Sequence, residues 1–192
     1  ALYTWGLNNF GQLGDGTTSN KSSPVKIGSS SWSKVGAGSS YLTSIDTTGA
    51  LYTWGLNNFG QLGDGTTVNK SSPVQVATTY NIISSWTNIS TGTDFTLATA
   101  YNNTLWAWGL NTSGQLGLNT ATTMSSPVQV GTSSWTSVAA GVSYVVGATS
   151  TGALYAWGIN SGYQVGDGTT IARSSPVQIS VGNSFTKVSA FS

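Results

Sequence analysis

Short runs of β-branched and aromatic residues, separated by polar turns bearing glycine, fill the chain from end to end. In the stretch 33–76 they are Ser33–Gly38, Tyr41–Ile45, Ala50–Gly55 and Pro73–Val76, and each predicts a strand. Asp46-Thr47-Thr48-Gly49 predicts a tight hairpin, and Asp64-Gly65 a turn. Helical periodicity is absent throughout. The run Leu51-Tyr52-Thr53-Trp54 breaks simple alternation, with Tyr52 and Trp54 on one face and Leu51 and Thr53 on the other. A strand with large or neutral residues on both faces is covered on both sides.

The pattern repeats. Trp-Gly recurs at Trp5, Trp54, Trp108 and Trp157, in steps of 49, 54 and 49 residues, and all four prolines sit in one phrase, Ser-Ser-Pro-Val. A period near 50 residues marks a propeller or a stacked array, whose units cannot bury their apolar surface alone. The expectation is an all-β fold, a β-propeller of four-stranded blades, as one unit over 1–192 with repeats at approximately 1–49, 50–103, 104–152 and 153–192. A propeller blade is sandwiched between neighbours, so Trp5, Trp54, Trp108 and Trp157 are expected in the inter-blade core. A sugar-stacking row is the alternative. The chain starts on the third strand of a unit, and a four-unit ring would close with a three-stranded seam and unpaired edges. A larger ring is the expectation.

Composition removes several chemistries. Charged residues make up 6% of the chain, and Glu, His and Cys are missing. Without His or Cys there is no usual zinc site, no thiol nucleophile and no histidine base. The aspartates mostly recur at turn positions, which argues against a paired-carboxylate enzyme. No cofactor or metal is expected, and a net charge of +1 does not supply the phosphate contacts that nucleic acid needs. No apolar run reaches the ~20 residues that span a bilayer.

The phrase Leu51-Tyr52-Thr53-Trp54-Gly55-Leu56-Asn57-Asn58-Phe59-Gly60-Gln61-Leu62-Gly63-Asp64-Gly65-Thr66-Thr67, followed by Pro73-Val74, resembles the regulator of chromosome condensation repeat. That resemblance implies a propeller of four-stranded blades, most often seven, and extends over essentially the whole chain. The family's nucleotide-exchange activity depends on charged and histidine residues on one face. Where its repeat commonly has His before the second strand, this chain has Tyr41, Phe95 and Tyr144. Exchange activity is not expected.

Differences between the repeats carry further information. Residues 1–25 and 50–74 agree at 24 of 25 positions, which points to duplication and to a scaffold or multivalent surface. Asp15, Asp64 and Asp167 become Leu118 in the third repeat, while Lys21, Lys70 and Arg173 become Met124. Acid and base disappear together, so they are expected to pair across the loop, with an apolar contact replacing them. Bound calcium would not predict loss of the base. Gly16 and Gly65 become Asn119, a residue that tolerates a left-handed turn. The span from proline to the next aromatic is 13 residues for Pro73 to Trp86 but 8 for Pro24 to Trp32, and the insertion carries Tyr80, Asn81, Ile82 and Ile83. This is the candidate partner-binding loop.

The polar, nearly uncharged surface suits a non-enzymatic structural or interaction module outside the cell, on a cell surface or on a virion, such as a phage fibre, decoration or appendage propeller. A protein partner or self-assembly is expected; nucleic acid and membrane insertion are not. The alternative is a secreted binding propeller that recognises a glycan or a protein, in the manner of a lectin or an enzyme inhibitor, with Tyr80 to Ile83 and loops of the Asn8 to Phe10 type as its contacts.

Overall fold

The computed structural model describes residues 1–76, 85–180 and 184–191. Among them are fourteen strands and no helix. The strands are β1 (Leu2–Gly6), β2 (Lys21–Ile27), β3 (Trp32–Ala37), β4 (Tyr41–Asp46), β5 (Leu51–Gly55), β6 (Lys70–Gln75) and β7 (Trp86–Thr91) in the first half of the chain. Then follow β8 (Phe95–Ala100), β9 (Leu105–Gly109), β10 (Met124–Gln129), β11 (Trp135–Ala140), β12 (Tyr144–Thr149), β13 (Leu154–Gly158) and β14 (Arg173–Ser180). They pair as antiparallel meanders: β3 to β6, β7 to β10 and β11 to β14 are four-stranded blades, and β1 with β2 is a two-stranded one. The innermost strands β3, β7 and β11 lie beside one another and set the blades in an arc around an axis.

The blade hairpins are built from local chemistry. The Asp46 carboxylate accepts the Thr48 and Ala50 amides at 2.8 and 3.0 Å, and Gly49 closes the turn at φ +88°, a conformation glycine adopts without a Cβ penalty. After β14 the chain continues along the path of a further inner strand. The Phe185 amide donates to the Gly152 carbonyl just as the Trp86 amide donates to Gly49 and the Trp135 amide to Asn103.

The sequence repeat and the blade are out of phase. Each Trp-Gly repeat contributes the outer two strands of one blade and the inner two of the next, so the polypeptide itself crosses every junction between blades. The central third blade shows the resulting cover: β8 and β9 are buried at every residue. Trp54, Trp108 and Trp157 are fully buried. Each packs against a second indole, Trp32 at 6.0 Å, Trp86 at 6.1 Å and Trp135 at 5.5 Å.

Trp5 stands in the two-stranded sheet of β1 and β2 and is 61% exposed among the described residues. Replacing the buried Trp108 by alanine is expected to cost about 3–5 kcal/mol, whereas Val68→Ala, at a loop position 62% exposed, should stay within about 0.5 kcal/mol. Urea denaturation midpoints of the two variants measure the difference; equal losses would contradict the packing described above.

Candidate functional site

In a meander, the connections from first to second strand and from third to fourth leave the same end of the blade. One face of the arc therefore carries the long third-to-fourth loops, residues 7–20, 56–69, 110–123 and 159–172, together with the short inner turns 38–40, 92–94 and 141–143. The opposite face carries the hairpin turns near Gly49, Asn103 and Gly152.

The long loop is wound around a buried asparagine. The Asn8 amide nitrogen donates to the Thr17 and Ser19 carbonyls at 3.0 and 3.1 Å and to the Asp15 carboxylate at 3.2 Å. Its side-chain oxygen accepts the Leu13 amide at 2.9 Å. Asn57, Asn111 and Asn160 bond the corresponding carbonyls and amide of the other three loops, Asn111 without a carboxylate because Leu118 stands there, and all four are inaccessible to solvent. Asn8 is thus a loop hub and not one of the surface contacts expected of the Asn8 to Phe10 stretch. Phe10 does reach solvent, at 37% exposure. The signal for the hub was available, since Asn follows the same Gly-Leu or Gly-Ile step in every repeat.

The ring of each buried tryptophan reads the preceding loop. Trp54 Nε1 donates to the Gln12 carbonyl, Trp108 Nε1 to Gln61 and Trp157 Nε1 to Gln115, each at 3.0 Å. The indoles lie so close to Gly14, Gly63 and Gly117 that a Cβ there would stand 2.6–2.8 Å from Nε1. Only glycine fits beneath the ring.

Acid and base do pair inside the loop. Lys21 Nζ lies 3.1 Å from Asp15, Lys70 Nζ 3.2 Å from Asp64, and Arg173 Nη2 2.5 Å from Asp167. In the third repeat Leu118 and Met124 instead pack against the hydrophobic core, and Asn119 takes φ +58° in place of glycine. Burial works to raise the Asp15 pKa, but the Thr17 hydroxyl and amide, Lys21 and Asn8 outweigh it and hold it at about 2. Asp64 is lowered against the same burial by Thr66 and Lys70. Asp167 is held well below the usual carboxylate range by the Thr169 hydroxyl, which together with Arg173 overcomes burial. Asp94 differs: burial pushes its pKa up, and the Ser39 hydroxyl offsets only part of that rise.

A concave mouth of about 310 Å³ opens on the arc's axis at this same face, between the inner turns. Ser39, Thr93, Val142 and Phe191 are among its lining, which carries no ionisable side chain. Backbone bonds lace the rim, as the Ser39 amide donates to the Thr93 carbonyl and the Thr93 amide to Val142. Tyr41, whose pKa burial pushes far up, reaches across a junction to donate to the Phe95 carbonyl. Among the described residues no three acidic groups gather in a way that would hold a metal ion. Tyr80, Asn81, Ile82 and Ile83 lie outside the described residues.

Two measurements follow from the loop chemistry. Asn57→Ala leaves the buried Leu62 amide without its acceptor and should cost at least about 2 kcal/mol by chemical denaturation. Carboxylates with depressed pKa values stabilise the fold above their ordinary value of 3.8, and that contribution is lost as pH falls towards about 2. Asp94 acts in the opposite sense, favouring the fold where it is protonated and losing that contribution as pH rises through its raised pKa. With more lowered groups than raised ones, the melting temperature should hold from neutrality to about pH 4 and then fall steeply. A profile flat to pH 2 would contradict the loop's ion pairs.

The regulator of chromosome condensation (RCC1) repeat model matches residues 1–45, 48–99, 102–147 and 151–190, and a second model of that repeat matches 86–115. Human WBSCR16 is similar in structure at a TM-score of 0.85 with 19% identity, over 98% of this chain and 50% of that one. Prp20p from Saccharomyces cerevisiae gives 0.76 with 22% identity over 94% and 46%. The yeast protein in its complex with Kap60 gives 0.79 with 21% identity over 94% and 44%. The chain spans about half the length of these propellers. Four matched repeats that reproduce the blade-to-blade geometry over almost every residue place this chain in the RCC1 repeat family.

Proposed function

We propose that this chain is a non-enzymatic interaction module that holds a protein partner on its long-loop face, as part of a structural or appendage assembly outside the cell or on a virus particle. One observation carries the reading. The charged side chains of the long loops, Asp15, Asp64 and Asp167, are neutralised by Lys21, Lys70 and Arg173 at the start of the strands that follow, while large apolar side chains stand out from the same rigid loops. Phe10, Phe59, Val68 and Ile171 are 37%, 38%, 62% and 62% exposed, and Val142 on an inner turn is 44% exposed. Apolar groups displayed on loops that a scaffold cannot relax are suited to a partner's surface. A neutral rim suits protein rather than phosphate.

Protein partners also fit the relatives, since Prp20p binds Gsp1p and histones and has been seen with Kap60. The extracellular or virion setting rests on composition alone: 6% charged residues and a surface kept hydrated by Ser, Thr and Asn. Cross-linking in the native source followed by peptide mapping tests both parts. Adducts to protein should concentrate on residues 7–20, 56–69, 110–123 and 159–172, and antibody labelling should decorate a filament, particle or cell surface. Adducts confined to the hairpin-turn face, or recovery as a soluble cytosolic monomer, would overturn the proposal. A glycan array serves as the third arm, and binding below high micromolar concentration would move the protein to the lectin-like class.

A further inference from the structure

The chain displays one loop twice. Residues 7–20 and 56–69 differ only at Ser19 against Val68, and they are wound alike. Gly11, Gly14 and Gly16 hold φ +79°, +76° and +83°, and Gly60, Gly63 and Gly65 hold +74°, +71° and +80°. At the tip of each loop stands a phenylalanine, Phe10 at 37% exposure and Phe59 at 38%, beside the exposed Asn9 and Asn58. Loop 56–69 has a described long loop on both sides and loop 7–20 on one, so a flanking loop leaves the exposure of the ring unchanged.

One glutamine fixes each of these residues. The Gln12 side-chain oxygen accepts the Phe10 amide at 2.9 Å, while the Gln12 carbonyl accepts Trp54 Nε1 at 3.0 Å. Gln61 does the same for the Phe59 amide and Trp108 Nε1. Each phenylalanine backbone is thereby tied to the buried indole of the next blade, and the step from blade to blade sets the separation of the two sites. The turn itself does not require an aromatic residue. Ser113 and Gly162 occupy the same position in the third and fourth loops, and their amides still donate to Gln115 and Gln164. An exposed ring that neither the turn nor the core needs is suited to a contact with another molecule.

Charge narrows the chemistry of that contact. Lys21 neutralises Asp15 and Lys70 neutralises Asp64, which leaves an apolar ring bordered by the neutral side chains of Asn9 and Thr17 in one loop and of Asn58 and Thr66 in the other. Charge complementarity therefore favours an uncharged apolar segment as the occupant. Two like sites held at a fixed separation favour a partner that carries the segment twice, because the first contact raises the effective concentration for the second.

We propose that loops 7–20 and 56–69 are two copies of one docking site, one blade apart, for a protein partner that presents the same uncharged apolar segment twice, in tandem or by symmetry. Phe10 and Phe59 are the anchors. The inference rests on the partner-binding reading above and adds the form of the partner.

The probe is a peptide selected from a random display library on the full chain bearing Phe10→Ser, with counter-selection on the double variant Phe10→Ser/Phe59→Ser. Serine is the replacement because Ser113 holds the same turn, and near-ultraviolet circular dichroism checks that each variant is folded. In calorimetric titration Phe10→Ser and Phe59→Ser should each bind one peptide fewer per chain than wild type, and the double variant two fewer. The Kd values of the two sites should agree within about fivefold. Two copies of the peptide joined by Gly/Ser linkers of graded length should bind wild type at least roughly a hundredfold more tightly than one copy at the best length, and either single variant should lose that gain. The proposal is overturned if no peptide is selected, if loss of Phe10 leaves the number of bound peptides unchanged, or if the linked pair gains nothing at any length. The partner-binding reading fails separately, through native cross-links confined to the hairpin-turn face.

Discussion

The hydrogen bond from a buried indole nitrogen to the glutamine carbonyl of the preceding loop is the constraint on which the fold depends. It fixes distance and angle between blades in one step, since Trp54, Trp108 and Trp157 each meet that carbonyl at 3.0 Å over a glycine that leaves no space for a side chain. A hydrophobic contact alone would let the sheets slide, because apolar burial has no direction. The indole supplies both the buried area and the direction. Loop and strand positions across the junction are thereby determined together.

This makes the long loop the unit of assembly rather than a connection. A loop that must present a carbonyl to its neighbour within hydrogen-bond tolerance has to be rigid without that neighbour's help. The buried asparagine provides this by bonding both limbs of its own loop, and the aspartate and lysine pair closes the outer limb. The pair is replaceable and the asparagine is not: Leu118 and Met124 substitute for the ions, while Asn111 stays. The ion pairs fasten the loop, and the amide hub shapes it. Because the repeat is offset from the blade, every such loop is also tied covalently to the blades on both sides.

Much of this was legible in the chain. The Trp-Gly period, the Pro-Val strand and the Asp-Thr-Thr-Gly hairpin predict the blades, because strand and turn chemistry is local. Pairing of Asp15 with Lys21 was readable from the joint loss of both in the third repeat. Exposure was not readable, because it belongs to a neighbour and not to a residue: Trp5 and Trp54 have the same flanking sequence and opposite surroundings. The recurrence of Asn8 in every repeat was readable, but what it bonds to was not. A buried polar side chain resembles a surface one until its partners, here the carbonyls of residues nine and eleven positions away, are placed around it.

Glycine substitutions show most clearly how position decides what a residue means. Gly16 and Gly11 both hold positive φ, at +83° and +79°, and backbone conformation alone would rank their replacements equally. A Cβ on Gly16 would come no nearer than 3.6 Å to a rotatable serine hydroxyl, so Asn119 is accommodated at that position with a blade still in place beyond it. A Cβ on Gly11 would strike the backbone of Ser71, and no side chain can be accommodated there without displacing a strand. Gly16 is a conformational choice, and Gly11 is a clearance between blades. Tyr163 replaces a glycine of the clearance type and holds φ +63°, so its own backbone conformation is only one part of what that substitution asks of the fold.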